Sequence, residues 1–160
     1  MPVTMKILDE AIRKLRMNYA RTPGVSVASE GEEGGAVLES GAVLYRGLHD
    51  MKLAGSFLEG RQGGAEMAFM STTFSFEVAV GFTLQSRDGL PVPARDALML
   101  RLVTDNIVNS GADVSYLSVN PGEGEVIFPP LCFLKPTGHF QVEVLNEDTI
   151  LTVVEVRPLT

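Results

Sequence analysis

The sequence predicts an α+β fold. Segments of helical period cluster in its first half, and β-branched or alternating runs fill its second. The composition agrees: 45% of the 160 residues are hydrophobic and 21% charged, as in a globular chain long enough to bury one core. A single domain over 1–160 is therefore expected, with a helix inside 1–23, mostly loop over 24–41, and the core from 42 onward.

In chain order, Thr4 is placed to cap a first helix. Ile7, Leu8, Ala11, Ile12 and Leu15 fall on one stripe of it, Arg13, Lys14 and Arg16 lie on the other side and at its end, and Pro23-Gly24 stops it. Ala42 to Tyr45 is a continuous apolar run that predicts a buried strand ending in Arg46-Gly47. Asp50 then caps a second helix carrying Leu53, Ala54, Phe57 and Leu58, closed by Gly60 and Gly63-Gly64. Met67 to Met70 predicts a strand ending in Ser71-Thr72-Thr73, and Ser75 caps a third helix with Val78, Ala79 and Phe82 inward. A loop follows through Arg87-Asp88-Gly89 and Pro91-Val92-Pro93. Strands are predicted over 97–104, 124–128, 131–134, 140–145 and 150–156, with turns at Pro136-Thr137-Gly138 and Asn146-Glu147-Asp148.

Charge and special residues narrow the function classes. A formal net charge of −7 disfavours nucleic acid and anionic membranes, which call for a basic surface. The lone cysteine, Cys132, has no internal disulfide partner, so a reducing, intracellular compartment is expected; its apolar neighbours predict a buried thiol. No signal peptide is expected from the N-terminal residues, and no apolar run approaches the ~20 residues of a membrane span. His49 and His139 stand far apart, so no metal is expected.

Polar residues close three apolar runs: Arg46 after the first, Ser71-Thr72-Thr73 after the second, and Glu123-Gly124-Glu125 at the mouth of a third. In extended backbone, side chains at i and i+2 share a face, which would turn Glu123 and Glu125 toward the same space. With Leu44-Tyr45-Arg46-Gly47-Leu48, Phe69-Met70-Ser71-Thr72-Thr73-Phe74-Ser75 and Gly122-Glu123-Gly124-Glu125-Val126-Ile127-Phe128 in this order, the chain resembles the arginine-specific mono-ADP-ribosyltransferases. The resemblance covers about residues 42–136 and includes Ala79 and Phe82 after the triplet. It implies a split mixed sheet with an NAD cleft at its edge.

The same resemblance implies roles. Arg46 would hold a phosphate of NAD, for which a planar, permanently charged guanidinium is suited. Gly47 would let the backbone approach the nicotinamide amide, and Ser71 would hold the nicotinamide ribose and orient Glu125, with Thr72 beside it. Glu125 would stabilise positive charge on the ribose, and Glu123 would engage the acceptor guanidinium. Phe82 would pack on nicotinamide or, equally, belong to the core, while Arg87 could reach a phosphate. Tyr45 and Tyr116 are assigned to packing and Thr73 to support of its strand. NAD is then a substrate, no metal is used, and the partner is a protein bearing an exposed arginine. An NAD glycohydrolase and a non-catalytic binding module are the alternatives. Only one helix precedes Arg46 here, fewer than in many relatives, so a more open cleft, weaker NAD binding or a wall supplied by a partner is expected.

Overall fold

The computed structural model describes residues 3–19, 42–48, 51, 53–59, 62–84, 96–105, 109–147 and 149–160. Outside them lie the expected loop at 24–41, the Pro23-Gly24 stop, the Asp50 cap, Gly60, Arg87 with its loop, and Asp148 of the last turn.

Helix α1 spans Val3–Tyr19, helix α2 Gly55–Leu58 and helix α3 Phe76–Leu84. The strands are β1 (Val43–Leu48), β2 (Gly64–Glu66), β3 (Met70–Thr73), β4 (Asp96–Val103), β5 (Ala112–Asp113), β6 (Glu125–Phe128), β7 (Cys132–Asn146) and β8 (Thr149–Leu159). They form one mixed sheet in the order β2-β7-β8-β4-β1-β3-β6-β5. The β4–β8 pairing is parallel and the others antiparallel. An α+β architecture is what the residue pattern predicts, and a mixed sheet is what the resemblance implies.

Alternation along the strands gives the sheet two buried faces. Leu44 and Leu48 of β1, Leu98, Leu100 and Leu102 of β4, and Val154 and Val156 of β8 pack on one, with Phe57 and Leu58 of α2 against them. Ala97, Met99, Leu151 and Val153 occupy the other, covered by α3 through Ala79, Phe76, Val80 and Leu84. Gly47 lies where α3 crosses β1. A Cβ built there meets the Thr83 hydroxyl and stands 2.6 Å from the Ala79 carbonyl oxygen. The glycine is thus required by helix–strand packing, whatever else it faces.

Several predicted elements change in extent. Thr4 lies inside α1, because the helix begins at Val3. Of the predicted stripe only Ile12 is buried; Ile7, Leu8 and Ala11 are exposed because, among the described residues, packing reaches the helix only toward its C-terminal half. There Arg16, read as a surface cation, is buried and donates to the Ser110 carbonyl at 3.2 Å and the Thr160 hydroxyl at 2.9 Å. Burial holds its pKa below the ordinary value. Helix α2 is a single turn starting at Gly55, with Ala54 in extended backbone before it. Gly64, read as a helix stop, instead opens β2, which pairs with β7 far away in sequence. The predicted break at Pro136-Thr137-Gly138 is a bulge within one long strand: β8 pairs with both halves of β7, and the register shifts between Pro136 and Phe140. A bulge tolerates the missing proline N–H.

Two changes probe this packing. Gly47→Ala should lower stability by about 1–3 kcal/mol, the usual cost of forcing a methyl into a close-packed contact, read as a lower urea midpoint at unchanged slope. Cys132 is fully buried, and burial pushes its thiol from 9.0 up to about 11. Because the folded pKa is the higher one, the stabilisation of the protonated thiol is complete below the ordinary value of 9.0 and is lost as pH rises through about 11. Iodoacetamide at about pH 8 should therefore label the native chain slowly and the denatured chain fast.

Candidate active site

β1 and β3 share one register pair, Tyr45↔Thr73, and then diverge. β3 continues instead into β6, with Thr73 opposite Glu125 and Ser71 opposite Ile127. The gap between β1 and β3 is a cleft of about 340 Å³, walled on one side by α3. Arg46 and Gly47 line it from β1, Ser71 and Thr72 from β3, Phe82 from α3, and Glu123 and Glu125 from the third motif. Segments distant in sequence thus meet in one concave site.

Ser71 and Glu125 are diagonal neighbours on one face of the β3–β6 pair, within reach of one another. The Ser71 hydroxyl donates to Glu125 Oε1 at 2.7 Å, which leaves Oε2 without a hydrogen bond to Ser71 and fixes the orientation of the carboxylate. Thr72 faces the other way, is buried, and donates its hydroxyl to the Val126 carbonyl at 2.8 Å. It borders the cleft with that hydroxyl proton already used.

Glu123 does not lie in extended backbone with Glu125, as alternation predicts. It ends a 3-10 turn, Pro121–Glu123, and Gly124 follows at φ 58°, ψ 48°, in the left-handed region. Glycine reaches that region without a Cβ penalty, and the chain then enters β6. Both carboxylates still line the same cleft.

Glu123 is held from three sides. Its N–H donates to the Asn120 carbonyl at 3.0 Å, the Thr73 hydroxyl donates to its carbonyl, and Asn120 Nδ2 donates to its Oε1 at 3.0 Å. Thr73 also accepts from the Ser75 N–H at 3.0 Å, so one hydroxyl joins the end of β3 to the turn. The strand-supporting role read for Thr73 matches this geometry. Asn120 was not singled out in the sequence: it meets Glu123 side chain to side chain across the Pro-Gly turn and does not cap that turn through its side chain.

Helix α3 presents the cleft wall. Ser75 caps it, accepting from the Val78 N–H at 3.2 Å and donating to Glu77 at 3.0 Å. The Glu77 backbone N–H, then the Ser75 hydroxyl, hold the Glu77 carboxyl below its usual pKa. Ala79 and Thr83 face the sheet, whereas Phe82 is 47% exposed and stands in the cleft; the core alternative for it does not hold. Tyr45 packs edge-on against Phe76, with ring centroids 5.4 Å apart, while Tyr116, read as packing, is exposed on a 3-10 turn, Ser115–Leu117.

Arg46 is the one cation among the described residues that line the cleft. It pairs at 3.1 Å with Glu66, a residue that nothing local in the sequence distinguishes from a solvated glutamate. Among the described residues no group of three or more His, Cys, Asp or Glu side chains could hold a metal ion, and no described helix is long and apolar enough to cross a membrane.

No protein-family model matches the sequence, and no curated protein matches it. Solved structures do share the fold. Exoenzyme S from Pseudomonas aeruginosa, bound to carba-NAD, is 14% identical with a TM-score of 0.53, over 97% of this chain and 60% of its own. Vis, an ADP-ribosyltransferase from Vibrio splendidus, in its complex with the M6 inhibitor is 24% identical with a TM-score of 0.50, over 75% of this chain and 49% of its own. The chain thus spans about half the length of most of the first structures it matches. The fold is that of ADP-ribosyltransferases, with the mixed sheet that the resemblance implies.

The Thr73 clamp is directly testable. Thr73→Val keeps the volume and removes the hydroxyl, and should cost about 1–3 kcal/mol for the two hydrogen bonds lost. Amide exchange at Glu123 and Ser75 should quicken while exchange in β4 and β8 is unchanged.

Proposed function

We propose that the chain transfers ADP-ribose from NAD to the guanidinium group of an arginine on a protein substrate, releasing nicotinamide. The observation that carries this is the meeting of Arg46, the Ser71–Glu125 pair and Glu123 in one cleft. A fold shared with Vis, an ADP-ribosyltransferase, and with exoenzyme S bound to carba-NAD supports it.

In this reading the Arg46 guanidinium holds a phosphate and Phe82 packs on the nicotinamide ring. Gly47 leaves backbone accessible beside the amide, and Thr72 shapes the floor. Ser71 steadies the nicotinamide ribose and Glu125 together. The bond between the nicotinamide nitrogen and the ribose anomeric carbon breaks, and its electron pair leaves with nicotinamide. Positive charge then spreads over the anomeric carbon and ring oxygen. The Glu125 carboxylate, hydrogen-bonded to a ribose hydroxyl, stabilises that charge as it develops. Such a preorganised group is worth roughly 10²–10³ in rate. A guanidinium nitrogen of the acceptor attacks the anomeric carbon and gives up its proton, with Glu123 as the base and ionic partner. Asn120 occupies one oxygen of Glu123 and leaves the other for the acceptor. The lone buried Cys132 suits a reducing compartment such as a cytoplasm.

Incubation with labelled NAD and agmatine, a small guanidinium acceptor, should give ADP-ribosylated agmatine and free nicotinamide. Glu125→Ala should lower both products by about 10²-fold or more. Glu123→Gln should abolish agmatine modification while nicotinamide release to water persists. Hydrolysis with no transfer by the unaltered chain would make it a glycohydrolase, and absence of both products would leave a binding module.

A further inference from the structure

The ion pair between Arg46 and Glu66 has no part in the chemistry above. Arg46 donates from Nη2 to Glu66 Oε2 at 3.1 Å and from Nη1 to the Ser71 carbonyl at 3.5 Å. The other Glu66 oxygen accepts from the Ala68 N–H at 3.4 Å. β2 is in turn fastened to β7 by the Glu66↔Cys132 pair, so sheet hydrogen bonds set where the carboxylate stands. The two side chains are 24% and 27% exposed, so the pair is partly shielded from solvent.

An anion beside the cleft's one described cation works against attraction of a diphosphate, so simple electrostatic recruitment does not account for it. Orientation does. A guanidinium carries five N–H donors in a rigid plane, and phosphate recognition needs a pair of them aimed at one group. Glu66 and the Ser71 carbonyl engage Nη2 and Nη1 and so hold the plane of a guanidinium that lines the cleft. We infer that Glu66 is a positioning residue, acting through Arg46 to present the guanidinium to a phosphate of the dinucleotide. This rests on the NAD reading above.

The test is calorimetric titration with carba-NAD, whose carbocyclic linkage resists cleavage. Glu66→Ala should weaken binding about tenfold, the factor carried by one charge-assisted hydrogen bond. Glu66→Gln, whose amide oxygen still accepts from Nη2, should stay within about threefold of the unaltered chain. With NAD as substrate the loss should appear in KM and leave kcat nearly unchanged, a split that general damage to the fold would not give. In an Arg46→Lys background, Glu66→Ala should add nothing, since the group it acts through is gone. Should thermal unfolding show that Glu66→Ala does not fold, Glu66→Asp keeps the charge but retracts it, and the same weakening is expected. Unchanged or tighter binding in Glu66→Ala, or equal weakening in the Arg46→Lys background, would overturn the role while leaving the NAD reading intact. No binding of carba-NAD by the unaltered chain would overturn both.

Discussion

β1 and β3 share a single ladder pair, and the cleft opens because their backbone pairing extends no further. Two adjacent strands that ran in full register would close the sheet and bury Arg46, Ser71 and Glu125 among ladder neighbours. The junction at Tyr45↔Thr73 holds the halves together while β4 and β8 carry β1 away on one side and β6 carries β3 away on the other. Helix α3 stabilises this divergence. It crosses β1 so closely that only glycine fits at 47, and its cap at Ser75 is tied through Thr73 to the turn that bears Glu123. Fold and site therefore share the same contacts.

The cleft carries both signs of charge. Glu123 and Glu125 bring two carboxylates to it, which in the proposed reaction would meet the charge that develops on the ribose and the cationic acceptor. Arg46 adds the one cation among the described lining residues, restrained by Glu66 and the Ser71 carbonyl. Each acidic group is oriented by a neutral donor, Ser71 for Glu125 and Asn120 for Glu123. Such donors fix a carboxylate without neutralising it, as the proposed reaction would need where positive charge develops.

The motif residues were legible because their chemistry is local: an arginine after an apolar run, a hydroxyl triplet, two carboxylates about one glycine. Their being brought to one cleft follows from strand order. What was not legible depends on partners far along the chain. β2 is three residues, two of them small, and is a strand only because residues 132–134 run beside it, so Glu66 carries no local mark. Arg16 reads as a surface cation until the C-terminal threonine and residue 110 come to meet it. The Glu123–Glu125 spacing suggested simple alternation, and the left-handed Gly124 replaced it with a turn that reaches the same cleft by another path. Phe82 could not be divided between core and site without knowing which side of α3 the sheet covers.

A crystal structure of the chain with carba-NAD tests the central claim most directly, namely that the opening between β1 and β3 is a dinucleotide site. The account predicts a phosphate against the Arg46 guanidinium, the nicotinamide between Gly47 and Phe82, and a ribose hydroxyl on Glu125 with the Ser71 hydrogen bond kept. Density for the dinucleotide on another surface, with the cleft empty, would contradict it.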